Sequence, residues 1–231
     1  MPDSKENCLA GDVNRFLDGR GIELVRKYFD PAAQFSGASF GRFAGGGDAV
    51  GHRYAFTAED LVAVTLLDVS VPGQAALEIL DKRSSEFNAL LAEVPYDLDL
   101  WDAPASVVDD SSPAAILWDS LRKLPDMGPA KTHKLMARKR PHLLPVFDSV
   151  VKKALQPHRR SVWLPFWYEL QDETLIARLA EIHEAAGLDE QIPLLRVLDV
   201  AVWMRNRKKS KWQLAFTPCP KWSQRAQPTI R

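Results

Sequence analysis

Apolar and polar positions recur at helical spacing along most of the chain, and strand-like alternation is almost absent. From Asp12 to Phe29, Val13, Phe16, Leu17, Ile22, Leu24, Val25 and Phe29 keep a helical period. It is broken near Gly19 and Gly21 and stopped by Pro31. Thr57-Ala-Glu-Asp60 resembles a capping box, with Asp where Glu or Gln is usual. The helix it opens, Ala58 to about Leu67, is apolar on several faces (Leu61, Val62, Val64, Leu66, Leu67), which predicts deep burial. Pro72-Gly73 and Ser85 begin two further helices, and Ser112-Pro113 begins another, running to Leu124. Glu173 to Ala186 is amphipathic and ends at Gly187, and Pro193 starts a last long helix with Trp203 on its buried side. The expected fold is all-α: a single helical domain over residues 1–209, with 210–231 as a loosely ordered tail.

The punctuation is densest between 124 and 149. Leu124 closes an apolar helix, Gly128 offers a backbone that can turn with φ > 0, and Pro129 sits where a helix begins. Residues 129–139 have helix-forming composition, and Pro141 ends them. A short apolar crossing leads to Asp148, a natural N-cap for the helix over residues 149–155.

These residues resemble the core of the helix-hairpin-helix base-excision DNA glycosylases, the endonuclease III superfamily. Leu124, Pro125, Met127 and Gly128 match the family's hairpin, and Asp148 follows Gly128 by the family's interval of twenty positions. Pro145-Val-Phe-Asp-Ser-Val150 is similar to the stretch carrying the family's catalytic Asp, and Lys153 stands where a basic residue is common. The likeness covers about thirty residues, between roughly 113 and 155. It implies a DNA-glycosylase-like fold, a hydrolase of base-excision repair, and DNA as partner through its phosphate backbone and a flipped base. Asp148 would be catalytic, and Met127, Gly128, Lys131, Lys134 and Lys153 would bind DNA. The first hairpin Gly is replaced by Asp126, and the Schiff-base Lys of bifunctional members by Ala130. Lys131 is adjacent, but one helical step swings a side chain about 100°. The implied enzyme is therefore a monofunctional N-glycosylase without lyase activity. A catalytically silent DNA binder and a helical interaction protein are the other two readings.

Charge adds to this picture. The formal net charge is zero. Between Leu121 and Arg160, however, Arg122, Lys123, Lys131, Lys134, Arg138, Lys139, Arg140, Lys152, Lys153, Arg159 and Arg160 face only Asp126 and Asp148. That concentration predicts a nucleic-acid-facing stripe. His133, His142 and His158 read as surface or capping histidines within it.

Other motifs carry less. Phe35 to Gly47 is Gly-rich but lacks the Gly-Lys-Ser/Thr ending of a phosphate loop, so an irregular loop pinned by Phe35, Phe40 and Phe43 is expected. The aspartates of 95–110 fit no calcium spacing, and Cys8 and Cys219 form no zinc or disulfide pattern. No metal or cofactor is expected. Val162 to Tyr168 is an aromatic cluster of core or base-stacking character, core being favoured. With no signal-like or membrane-length apolar run, a cytoplasmic location and no membrane partner are expected.

Overall fold

The computed structural model describes residues 9, 11–157 and 163–207. Cys8, His158, Arg159, Arg160, Cys219 and the tail from 210 lie outside the described residues. Ten α-helices follow in order among the described residues: α1 (Gly19–Phe29), α2 (Ala58–Ala63), α3 (Gly73–Leu77), α4 (Ser84–Ala92), α5 (Pro113–Arg122), α6 (Pro129–Lys139), α7 (Ser149–Leu155), α8 (Trp163–Glu169), α9 (Glu173–Ala185) and α10 (Leu194–Asn206). Extended pairing in that range is confined to an isolated Leu9–Pro157 bridge. The fold is all-α, and its buried apolar residues form one contiguous core from Leu9 to Met204.

Local chemistry sets the helix ends. Asp18 caps α1 by accepting from the Gly21 N–H, so the N-terminal period divides there into a 3-10 turn (Asn14–Phe16) and α1. Thr57 and Asp60 form the full reciprocal capping box of α2. Ser112, with Pro113 behind it, caps α5, and Gly187 leaves α9 with φ +67. A π turn, Glu78–Lys82, joins α3 to α4.

The helix after Thr57 is shorter than expected. It gives way at Val64 to a 3-10 turn (Val64–Leu67), and only Asp60, Ala63 and Val64 are buried in it. Val62 is 47% exposed, because a six-residue helix presents too narrow a face to bury apolar residues on every side.

The largest departure is the basic stripe. Lys134, Arg138, Lys139 and Arg140 are all buried. Arg138 donates to the Phe40, Gly41 and Phe43 carbonyls and, at 3.2 Å, to Asp60 Oδ1. Lys139 donates to the His52 carbonyl and, at 3.0 Å, to Asp60 Oδ2. Arg140 donates to Leu91 and Val94, at the C-terminal end of α4, and to Arg53 and its neighbour Lys139. Its burial without a carboxylate partner pulls its pKa down to about 10. These cations supply donors to backbone oxygens of the connecting segments and of the C-terminal end of α4, so their burial is matched by hydrogen bonds. Arg138 thereby organises the Gly-rich loop. A Cβ on Gly47 would sit 2.2 Å from the Arg138 carbonyl oxygen, so no other residue fits. Phe40 is buried in this loop, with Phe35 and Phe43 half-buried beside it.

His133 is also internal rather than a surface group. It packs against Trp118, Phe147 and Trp163, with ring centroids 5.4 to 5.6 Å away. Burial, with Arg122 and Lys152 nearby, drops its pKa to about 3. Trp163, Leu164 and Phe166 are core, as the aromatic cluster of α8 was expected to be. His142 sits half-buried against Asp99 at 3.0 Å, and the hydrogen bond to that carboxylate raises its pKa.

Candidate functional site

The hairpin joins α5 to α6 through Lys123–Gly128. Its positive φ falls on Asp126 (+57°), the residue standing at the first hairpin Gly, whereas Gly128 is an extended N-cap at φ −80°. Aspartate tolerates this left-handed conformation better than most residues. The Met127 N–H is given to the Leu124 carbonyl, and Met127 itself is buried, so it holds the turn closed and is not presented to a phosphate. Lys131 is half-buried and donates 2.9 Å to the Asp126 carbonyl across the hairpin. Lys153 is exposed on α7 beside Lys152.

Asp148 caps α7. Its Oδ1 accepts from the Val150 and Val151 N–H groups at 2.8 and 3.0 Å, which leaves Oδ2 for other work. That oxygen lies 3.8 Å from Lys134 Nζ. Lys134 also donates 2.7 Å to the Leu67 carbonyl, at the end of the 3-10 turn after α2. Burial lowers the lysine's pKa, and the carboxylates of Asp148 and Asp68 work against that. Lys134 is therefore not the surface phosphate contact expected of it. Its ammonium is turned inward, one helical turn beyond Ala130, onto the carboxylate.

Ala130, Lys134 and Asp148 line one cavity of about 300 Å³. Exposed Ser36, Asp68 and Ser149 lie at its rim, while Tyr28, Arg196, Asp199 and Val200 are buried. Three aromatic rings form much of the wall. Tyr28 stacks on Phe35 at 5.2 Å and 17°, and Trp203 meets both edge-on at 6.0 and 6.4 Å. Trp203 is half-buried because it faces this space rather than the core. A Cβ on Gly37 would fall 2.0 Å from the Tyr28 hydroxyl, so glycine there lets the loop close over the ring.

Arg196 and Asp199, one turn apart on α10, form a buried ion pair. The second arm of Arg196 donates to the Tyr28 hydroxyl at 2.6 Å and the Gly37 carbonyl at 3.1 Å. Burial opposes the arginine's charge, but Asp199 and Tyr28 more than offset this and its pKa rises. Burial pushes the Asp199 carboxyl up to about 6, against the pull of Arg196. Sequence reading missed this pair. Two opposite charges three residues apart inside the apolar run Leu194–Val202 were the available signal, since charges are seldom buried unless paired.

Fold and site together define an all-helical protein whose cavity, aromatic-walled and of mixed charge, is built from five separate parts of the chain. The chain belongs to a family of unknown function, DUF6308, whose model matches residues 21–206. No curated protein and no solved structure matches it. Among the described residues no helix is long and apolar enough to cross a membrane, and no cluster of three or more His, Cys, Asp or Glu side chains is arranged to hold a metal.

Proposed function

We propose that this protein binds DNA through its hairpin face and takes a damaged or modified base into the cavity, where Asp148 assists hydrolysis of the N-glycosidic bond. The observation that supports this reading is the position of Asp148: it borders an open, aromatic-walled space instead of being enclosed in the core. With Oδ1 held by two backbone N–H groups, Oδ2 is positioned to stabilise the positive charge that develops on the sugar as the base departs. The base must first leave the stack, and flat aromatic side chains suit its faces. The strand stays intact in this scheme, because Ala130 stands at the Schiff-base position and the Lys131 amine is tied to the hairpin carbonyl. Lys134 is tied to the Leu67 carbonyl and is not the nucleophile of this scheme.

The test is base release from duplexes carrying a panel of damaged bases, run with the wild type and Asp148→Asn. Release by the wild type alone, without strand cleavage, is the expected result. Equal release by both proteins would remove Asp148 from the mechanism. A borohydride-trapped adduct mapped to Lys134 would overturn the monofunctional scheme.

A second reading is a catalytically silent DNA binder. It is favoured by Asp126, which brings negative charge to the hairpin turn, and by the burial of Lys134, Arg138, Lys139 and Arg140, which removes much of the expected basic stripe. Binding without release from any substrate would select it.

A further inference from the structure

The buried pair on α10 leaves one polar atom without a partner. Asp199 Oδ1 takes a hydrogen bond from Arg196, while Oδ2 is buried and accepts none. Arg196 cannot turn to serve it, because its other arm is committed to Tyr28 and Gly37. A carboxylate oxygen left unpaired inside a protein costs more than an ordinary hydrogen bond returns, so such atoms call for a physical explanation. Asp199 belongs to the lining of the cavity that Asp148 borders. The two carboxylates come from different helices, Asp148 opening α7 and Asp199 lying within α10.

We propose that Asp199 Oδ2 reads the hydrogen-bond-donor edge of an amino-bearing planar heterocycle held in the cavity, and so fixes the class of base the site accepts. The inference rests on the base-pocket reading above and adds a substrate class to it. An ionised carboxylate only accepts, so its complement is an N–H group. Its charge is already balanced by Arg196, so a neutral amino group suits it without a further cation. Adenine-, cytosine- and guanine-type rings carry such a group. Diketo pyrimidines flank their single ring N–H with carbonyl oxygens, which would face the carboxylate and be repelled. Tyr28, Phe35 and Trp203 supply apolar contact to every ring alike, so discrimination falls on the polar atom. A buried acceptor rejects ligands that cannot satisfy it more strongly than a wall of apolar groups can.

The same chemistry can arrive as a free nucleoside or as a base within DNA, and the experiment separates the two. The full chain is titrated calorimetrically at pH 7.5 with adenosine, cytidine, guanosine, uridine and thymidine. It is also titrated with short duplexes placing each corresponding base opposite an abasic site. In whichever arm binds, amino-bearing ligands should bind about tenfold or more tightly than diketo ones. Asp199→Asn, which offers a donor as well as an acceptor, should erase that preference. Trp203→Ala should weaken all ligands while keeping the preference, and it serves if Asp199→Asn fails to fold. Equal affinity for both classes, an unchanged ratio in folded Asp199→Asn, or no binding in either arm would overturn the proposal. Amino-selective binding without base release would keep it and remove the glycosylase reading. Release of diketo bases would do the reverse.

Discussion

Lys134 Nζ and Asp148 Oδ2 lie 3.8 Å apart, both largely shielded from solvent, at the wall of the central cavity. The lysine is anchored from behind by the Leu67 carbonyl and the aspartate by the first N–H groups of α7. Neither charge depends on the other for its position, so one can be altered without collapsing the other.

Asp148→Asn should therefore be a clean probe. Asparagine caps helices about as well as aspartate, and stability should change by less than about 1 kcal/mol. Base release should fall about a hundredfold or more, because a neutral amide cannot stabilise a cationic sugar. A melting curve and a single-turnover assay on the same preparation check both halves.

Arg138→Ala should destabilise the fold by about 3–5 kcal/mol, since it leaves Lys139 as the one cation on buried Asp60, strips the Phe40 and Gly41 carbonyls of their donor and leaves the Phe43 carbonyl with the Gly46 N–H. Arg138→Lys should recover little, as one ammonium cannot span the same acceptors. Urea unfolding measures this, and a loss below about 1 kcal/mol in the alanine variant would contradict the role given to Arg138.

His133 should make the protein acid-labile. Its folded pKa of about 3 lies below the ordinary 6.5, so the unfolded chain binds the extra proton as pH falls. The stabilising contribution is complete above pH 6.5 and is lost progressively toward pH 3, at most about 5 kcal/mol. Asp199 acts in the opposite sense: its carboxyl, raised to about 6, favours the folded state at low pH, and that benefit is lost as pH rises through 6. His133→Phe should flatten the acid limb of stability against pH, and Asp199→Asn should steepen it. Identical slopes in wild type and His133→Phe would refute the assignment.

DNA binding, if present, should draw on the cations that remain outside: Lys123, Lys152 and Lys153, with half-exposed Arg122 and Lys131. Affinity for duplex DNA should fall as salt rises. Replacing Lys152 and Lys153 together with Glu should reduce the log–log salt slope by about 2. An unshifted duplex at micromolar protein and low salt would remove the DNA partner. Lys134→Glu is unsuitable for this purpose, because it would bury a second negative charge against Asp148.

What could be read from the sequence was local. The caps at Thr57, Ser112 and Asp148 act over two or three residues, so residue type and spacing locate them. The fate of the basic residues was not local. Arg138 finds its acceptors at Phe40, Gly41 and Phe43, far earlier in the chain, and no periodicity announces a carbonyl oxygen in search of a donor. Lys131 and Lys134 differ by three positions on one helix, yet one returns to the hairpin and the other enters the cavity. Likewise Asp148 was legible as a cap, but its neighbours Tyr28 and Asp199 arrive from α1 and α10 only through tertiary packing.

The guanidinium of Arg138 also sets an order of assembly. Its loop partners lie 95 to 98 residues upstream, so the carbonyls of Phe40, Gly41 and Phe43 lack their buried side-chain donor until α6 is made and delivered. During synthesis the loop emerges first and must wait, solvated, for a helix that leaves the ribosome much later. The expected signature is late amide protection in the loop: in pulse-labelled refolding, Gly45 and Gly46 should gain protection after the amides of α5 and α6. Protection of the loop ahead of those helices would show that it folds on its own turns and that Arg138 merely joins it.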